Sequence, residues 1–165
     1  MPNWIEGTIK LRGTYEDLKR FVNEGLEPMS IMGKPIGTKE DLIDLTNYGS
    51  EFDFEIKDHD MWISGTRRAF IKEGCYGTST GNDDDNLILV LNVRQAWSFL
   101  AHDTDQDKWK SISDKFNIDI RLYGYEMGVE FCEEVIILRG KGIVLDNVIK
   151  YEDWNWDCPF PRLGG

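Results

Sequence analysis

The chain has 165 residues, enough for one domain with a sizeable core and too few for two ordinary ones. Hydrophobic residues at 41% and aromatics at 12% exclude global disorder, and no apolar run approaches the ~20 residues of a membrane span. A net charge of −11, from 30 acids against 19 bases, argues against direct nucleic-acid binding and suits a basic protein partner.

Trp4 to Leu11 alternates apolar with polar or small side chains, the period-2 pattern of a first strand. After Gly13, Thr14 stands three residues before Asp17, an N-cap followed by an acid in the first turn. Leu18, Phe21 and Val22 then share one face, so residues 14–25 read as an amphipathic helix closed by Gly25. Residues 27–50 carry Pro28, Gly33, Pro35, Gly37 and Gly49, with a short helix expected only at Lys39 to Leu45. This insert is too rich in Met and Ile for a linker, and Met29, Ile31, Met32 and Ile36 are expected to cap one end of the core.

Phe52 to Ile56 alternates, Asp58-His59-Asp60 turns, and Met61 to Ser64 returns, which predicts a hairpin. Arg67 to Lys72 is open between strand and short helix. Thr78 to Asn86 is a solvated loop, and Asn86 to Val93 (NLILVLNV) is a continuous apolar run expected to be a strand buried on both faces. Asp103 or Thr104 is the expected cap of a helix that places Trp109, Ile112 and Phe116 on one face. Ile118 to Tyr123 alternates, and two apolar runs around Arg139-Gly140-Lys141 predict a closing hairpin. The aromatic tail, residues 151–165, is expected to fold back on the body. The class this predicts is α+β over 1–165: a ferredoxin-like split βαβ with extra strands, two main helices packed on an antiparallel or mixed sheet, and an irregular insert.

Cys75, Cys132 and Cys158 are odd in number, widely spaced and free of any CxxC, so they read as free thiols of a cytosolic protein. The opening MPNWIEGTIKLRG has no basic n-region or apolar h-region, so no signal peptide is expected.

Three stretches, MPNWIEGTIKLRGTYEDLKRF, LNVRQAWSF and KFNIDIRLYGYEMGVEF, resemble the YubB ferredoxin-like proteins of bacteriophages and plasmids. The resemblance spans most of the chain except the insert and the tail. The chain departs from the family pattern with Asn117 where proline is usual and with Val129-Glu130 before Phe131. The resemblance implies the same fold and a mobile-element origin, hence the cytoplasm of a bacterial host. It carries over no catalytic residues, and its company implies action on host machinery, including counter-defence such as anti-CRISPR-type inhibition.

Asp83-Asp84-Asp85 lacks the spaced ligands of a calcium loop, and Asp103, Asp105 and Asp107 lack its sixth-position glycine, so a solvated turn and helix capping account for them without metal. Acids beside Cys132 raise a thiol's pKa, and neither His59 nor His102 sits in a triad signature. Thr66, Arg67 and Arg68 follow Gly65 where a strand ends, a set able to hold a phosphate or carboxylate; pairing of the arginines with surface acids is the plainer account. Trp97, Tyr123, Tyr125, Trp154 and Trp156 suit core packing or an interface better than base stacking, since no RNP-type run is present. The C-terminal Arg162-Leu163-Gly164-Gly165 is similar to a ubiquitin-type tail but follows no β-grasp pattern.

The expectation is therefore a non-enzymatic accessory protein without cofactor or metal that binds and inhibits or redirects a host protein. Its contact residues would be Asp83, Asp84, Asp85, Asp103, Asp105, Asp107, Trp154 and Trp156, and acidic nucleic-acid mimicry is one form of such binding. The alternative is a binder of an anionic nucleotide or signalling molecule at Thr66, Arg67 and Arg68. A third reading is a weak metal-dependent hydrolase.

Overall fold

A computed structural model of the chain describes residues 3–48, 51–74, 76–78, 80–81 and 86–165. Asp83, Asp84 and Asp85 lie outside the described residues, as does Cys75. Strand β1 (Trp4–Gly13) leads into helix α1 (Tyr15–Glu24), where Thr14 Oγ1 accepts from Asp17 N at 3.1 Å. Gly25 closes α1 in the right-handed region rather than the left-handed one expected of a glycine cap. Crowding rather than a left-handed backbone accounts for the glycine: a Cβ there would lie 2.7 Å from Phe21 O and 2.9 Å from the Phe21 ring.

β2 (Leu26–Glu27), α2 (Lys39–Leu42), β3 (Ile43–Tyr48), β4 (Glu51–Ile56), β5 (Met61–Ile63), β6 (Ala69–Ile71) and β7 (Tyr76–Thr78) follow. Next come β8 (Leu87–Ala96), α3 (Asp103–Phe116), β9 (Asp119–Glu126), β10 (Phe131–Leu138), β11 (Gly142–Lys150) and the short α4 (Trp154–Asp157). Eight strands form one open antiparallel sheet in the order β11-β10-β9-β1-β8-β6-β5-β2, and β3-β4-β7 form a smaller one. β1 lies between β8, in register from Trp4 opposite Ala96, and β9, in register from Glu6 opposite Tyr125.

Ile5, Ile9 and Leu11 of β1, Leu89, Leu91 and Val93 of β8, Ile120 and Leu122 of β9, and Val135 and Ile137 of β10 form one buried cluster with both long helices. Leu18, Phe21 and Val22 come from α1, and Trp109, Ile112 and Phe116 from α3, with Phe21 and Phe116 edge-to-face at 5.4 Å. The other face of the sheet carries Glu6, Thr8, Lys10 and Arg12, with no long helix over it.

Several expectations need correction. β4 and β5 make no hairpin: β4 pairs with β3 and β7 in the small sheet, while β5 pairs with β2 and β6 in the large one. β8 is buried on one face only, and Ile88 and Val90 are exposed on the other. Within Arg67 to Lys72 a short strand forms at Ala69–Ile71, β6. Ile31 and Met32 do not cap the core but stand exposed. The N-cap of α3 is His102, whose N–H is taken by the Asp105 carboxylate at 3.0 Å.

Asn117 ends α3 at φ 55, ψ 44, a left-handed conformation that asparagine tolerates and proline cannot adopt. The tail docks as expected: Trp154 is buried and donates its indole N–H to Pro161 O at 2.8 Å. No described helix is long and apolar enough to cross a membrane.

Candidate functional site

β1 starts, β8 and β9 end, and β10 starts at one end of the large sheet. Two turns project there. The first follows β8, and Trp97 opens it at φ 74, a region that bulky side chains rarely occupy. Trp97 N donates to Asn3 O at 2.8 Å, and Gln95 Nε2 donates to Ser98 O and Phe99 O at 2.8 and 2.9 Å. The buried Glu133 carboxylate of β10 accepts from Phe99 N at 2.7 Å and Leu100 N at 3.3 Å.

The second turn joins β9 to β10. Glu126, also buried, accepts from Gly128 N at 2.7 Å and Val129 N at 2.6 Å, and Glu130 leaves the turn at φ 64. Each turn is thus held from beneath by a carboxylate that satisfies two backbone donors. Asn3 meets both turns: its O accepts from Trp97 N, and a Cβ on Gly128 would lie 2.4 Å from its Nδ2. A Cβ on Gly165 of the tail would lie 3.0 Å from Met127 Cε.

Both turns carry exposed apolar side chains: Trp97 is 48% exposed, Met127 42% and Val129 54%. Glu130 is exposed next to Val129 in the chain, and Asp103 and Asp107 are exposed on the first turns of α3. Burial pushes the Glu133 carboxyl up to about 7, against the two backbone hydrogen bonds and with help from Asp146 and Asp105.

Arg67 connects this region to α3. Its Nη2 donates to Ala96 O at 2.6 Å, and its Nε lies 3.6 Å from the buried Asp105 carboxylate. Arg68 donates to Ile31 O at 3.0 Å and stacks over Trp4, its guanidinium 5.3 Å from the ring centroid. Thr66 is buried, and its hydroxyl donates to Ile63 O at 2.6 Å while accepting from Ala69 N at 3.2 Å. The structure therefore brings Arg67 to Asp105 and leaves Asp103 and Asp107 outward. Trp154 is buried in the tail; Trp156 is 86% exposed.

A cleft of about 470 Å³ opens on the uncovered sheet face, beneath the tail. Glu6, Thr8, Lys72 and Asn92 line one side, with Lys72 Nζ 2.8 Å from Glu6 Oε2. Tyr123, Tyr125 and Phe160 form an aromatic wall, each ring edge-on to the next at 5.5 and 5.4 Å. Burial raises the Tyr123, Tyr125 and Cys158 pKa values, and a hydrogen bond with Cys132 is the main cause of the rise at Tyr151. Each shift favours the protonated form of the group. Among the described residues, no group of three or more His, Cys, Asp and Glu is placed to hold a metal ion.

No protein-family model, curated protein or solved structure matches the chain. The site therefore rests on its own geometry. Sequence reading missed Glu126 and met Glu133 only as one of the acids beside Cys132, because in sequence both are ordinary acids in a strongly acidic chain. Gly128, two residues beyond Glu126, is the one local sign of a turn.

Proposed function

We propose that the protein is a non-catalytic accessory protein that binds a host protein through the sheet-end surface of Trp97, Met127 and Val129, and so inhibits or redirects it. The carrying observation is Trp97: a half-exposed indole fixed at φ 74 by a scaffold of buried polar groups. Strain of this kind persists where the surroundings over-determine it, and a rigid aromatic is a low-entropy anchor for binding. Acids around the patch favour a partner whose apolar contact is rimmed by Lys and Arg, which is also the geometry of a nucleic-acid mimic.

The mobile-element origin and bacterial cytoplasm implied by the YubB resemblance belong to the same proposal. So does the ferredoxin-like split βαβ assignment. It is supported by the antiparallel β9-β1-β8 centre, with α1 after β1 and α3 after β8 packed on one face.

The test is capture from bacterial cytosol by the immobilised wild type, Trp97→Ala and Val129→Asp proteins at low and high salt. A protein held by the wild type, released by salt and lost from both variants is the expected result. Identical capture by all three proteins overturns the reading.

The cleft favours a second reading, a small anionic ligand held by Lys72 against the Tyr123–Tyr125–Phe160 wall. Native mass spectrometry of the purified protein tests it, and a bare mass with no thermal shift by nucleotides removes it.

A further inference from the structure

The two margins of the large sheet differ. One ends in β2, only two residues long. The other is β11, nine residues with β10 on one side and, among the described residues, no strand on the other. A bare edge of that length is a template for strand addition, and proteins blunt such edges with proline, charge, bulges or a covering element. From Gly142 to Lys150 there is no proline, and the only lysine stands at the end. The ladder irregularity between Ile136 and Ile137 falls near the Gly142 end, leaving Leu145 to Lys150 in unbroken register against Ile136 to Phe131. Val144, Val148 and Ile149 are exposed by between 41 and 52%.

We propose that β11 is an interface between two copies of this chain, paired antiparallel about a two-fold axis at Asn147 into one continuous sheet with eight strands from each copy. Symmetry narrows the register. Opposed residues must share a face, so the axis passes through a residue of the strand. An axis at Asp146 would set two carboxylates against each other, which destabilises a ladder. An axis at Asn147 sets amide against amide, Leu145 against Ile149, Val148 against Asp146 and Val144 against Lys150, so the exposed apolar side chains are covered by an apolar side chain, a short acid or a lysine stem.

Charge selects the occupant. Between Arg139 and Lys150 three bases, Arg139, Lys141 and Lys150, stand beside one acid, Asp146, in a chain of net charge −11. Acids are sparse at this margin, and the Asn147 axis sets no two like charges directly opposite each other. The two-residue β2 edge offers no comparable surface, so β11 pairs with itself and the assembly closes as a dimer rather than growing into a fibre.

Light scattering on the full chain across micromolar concentrations should give twice the 19.1 kDa of one chain. Val148→Lys, which places a charge on the edge, and Asn147→Pro, which removes an N–H, should each halve that mass with an unchanged circular dichroism spectrum. In a background with Cys75 replaced by serine, Asn147→Cys should cross-link under mild oxidation. Directly opposed strand residues lie about 4.5–5.5 Å apart, within disulfide reach. Val144→Cys, which the two-fold sets opposite Lys150, should not. A wild type that is monomeric at every concentration overturns the proposal, as does a dimer that survives in folded Val148→Lys protein, or failure of Asn147→Cys to cross-link.

Discussion

Glu133 makes stability depend on pH in a direction unusual for a carboxylate. Its pKa moves from an ordinary 4.5 to about 7 because burial outweighs the hydrogen bonds from Phe99 and Leu100. Between those values the native state holds a proton that the unfolded chain has released. Stability from this group is therefore full below about 4.5, declines as pH rises, and is lost above about 7. At about 1.4 kcal/mol per pKa unit, the ionised carboxylate costs the fold on the order of 3 kcal/mol at pH 8.

Glu133→Gln removes the titration. Its amide oxygen still accepts one backbone N–H, while its NH₂ group faces the other, a loss of about 1–3 kcal/mol at every pH. The variant should therefore be clearly less stable than wild type near pH 5 and should gain on it by about 3 kcal/mol by pH 8. Urea denaturation of both proteins at matched pH values measures this. The difference between the two proteins cancels the other titrating groups. A difference that stays flat within about 0.5 kcal/mol from pH 5 to 8 would refute the account of Glu133 as a buried, protonatable clamp.

Asn117→Pro cannot reach φ 55 and loses the bond from Asn117 Nδ2 to Asp17. Chemical denaturation should show a loss of about 3 kcal/mol or more, and Asn117→Gly much less. Gly7→Ala would place a Cβ 2.0 Å from Tyr123 O, forcing β1 from β9. It should lower stability by at least about 3 kcal/mol and alter tyrosine fluorescence at the cleft. Trp154→Ala should release the tail, read as tryptic cleavage at Arg162 at least tenfold faster than in wild type, with a stability loss of about 3–5 kcal/mol.

Much of this fold was legible in the residues. Thr14, Leu18, Phe21 and Val22 announce α1 because capping and a 3.6-residue period are local properties. Strand pairing is not local. The alternation at Phe52 to Ile56 marks a strand truly, yet nothing in it says that the chain changes sheets before Met61. Likewise, Ile88 and Val90 read as buried because apolar runs record composition, whereas coverage depends on what lies above the strand. The site was the least legible part. Trp97 sits at a backbone angle its side chain disfavours, and Glu126 and Glu133 act through backbone donors that leave no trace in side-chain identity.

The central place of β1 has a consequence for the chain as it is made. Trp4 to Gly13 finds both of its neighbours only when residues through Ala96 and then Tyr125 have been synthesised. At about 5–20 residues per second, that wait lasts on the order of 6–25 seconds. Until then Ile5, Ile9 and Leu11 lack one or both of the strands that bury them, so the earliest-made strand of this sheet is among the last to be secured. Native pairing of β1 on both sides thus waits for two younger strands.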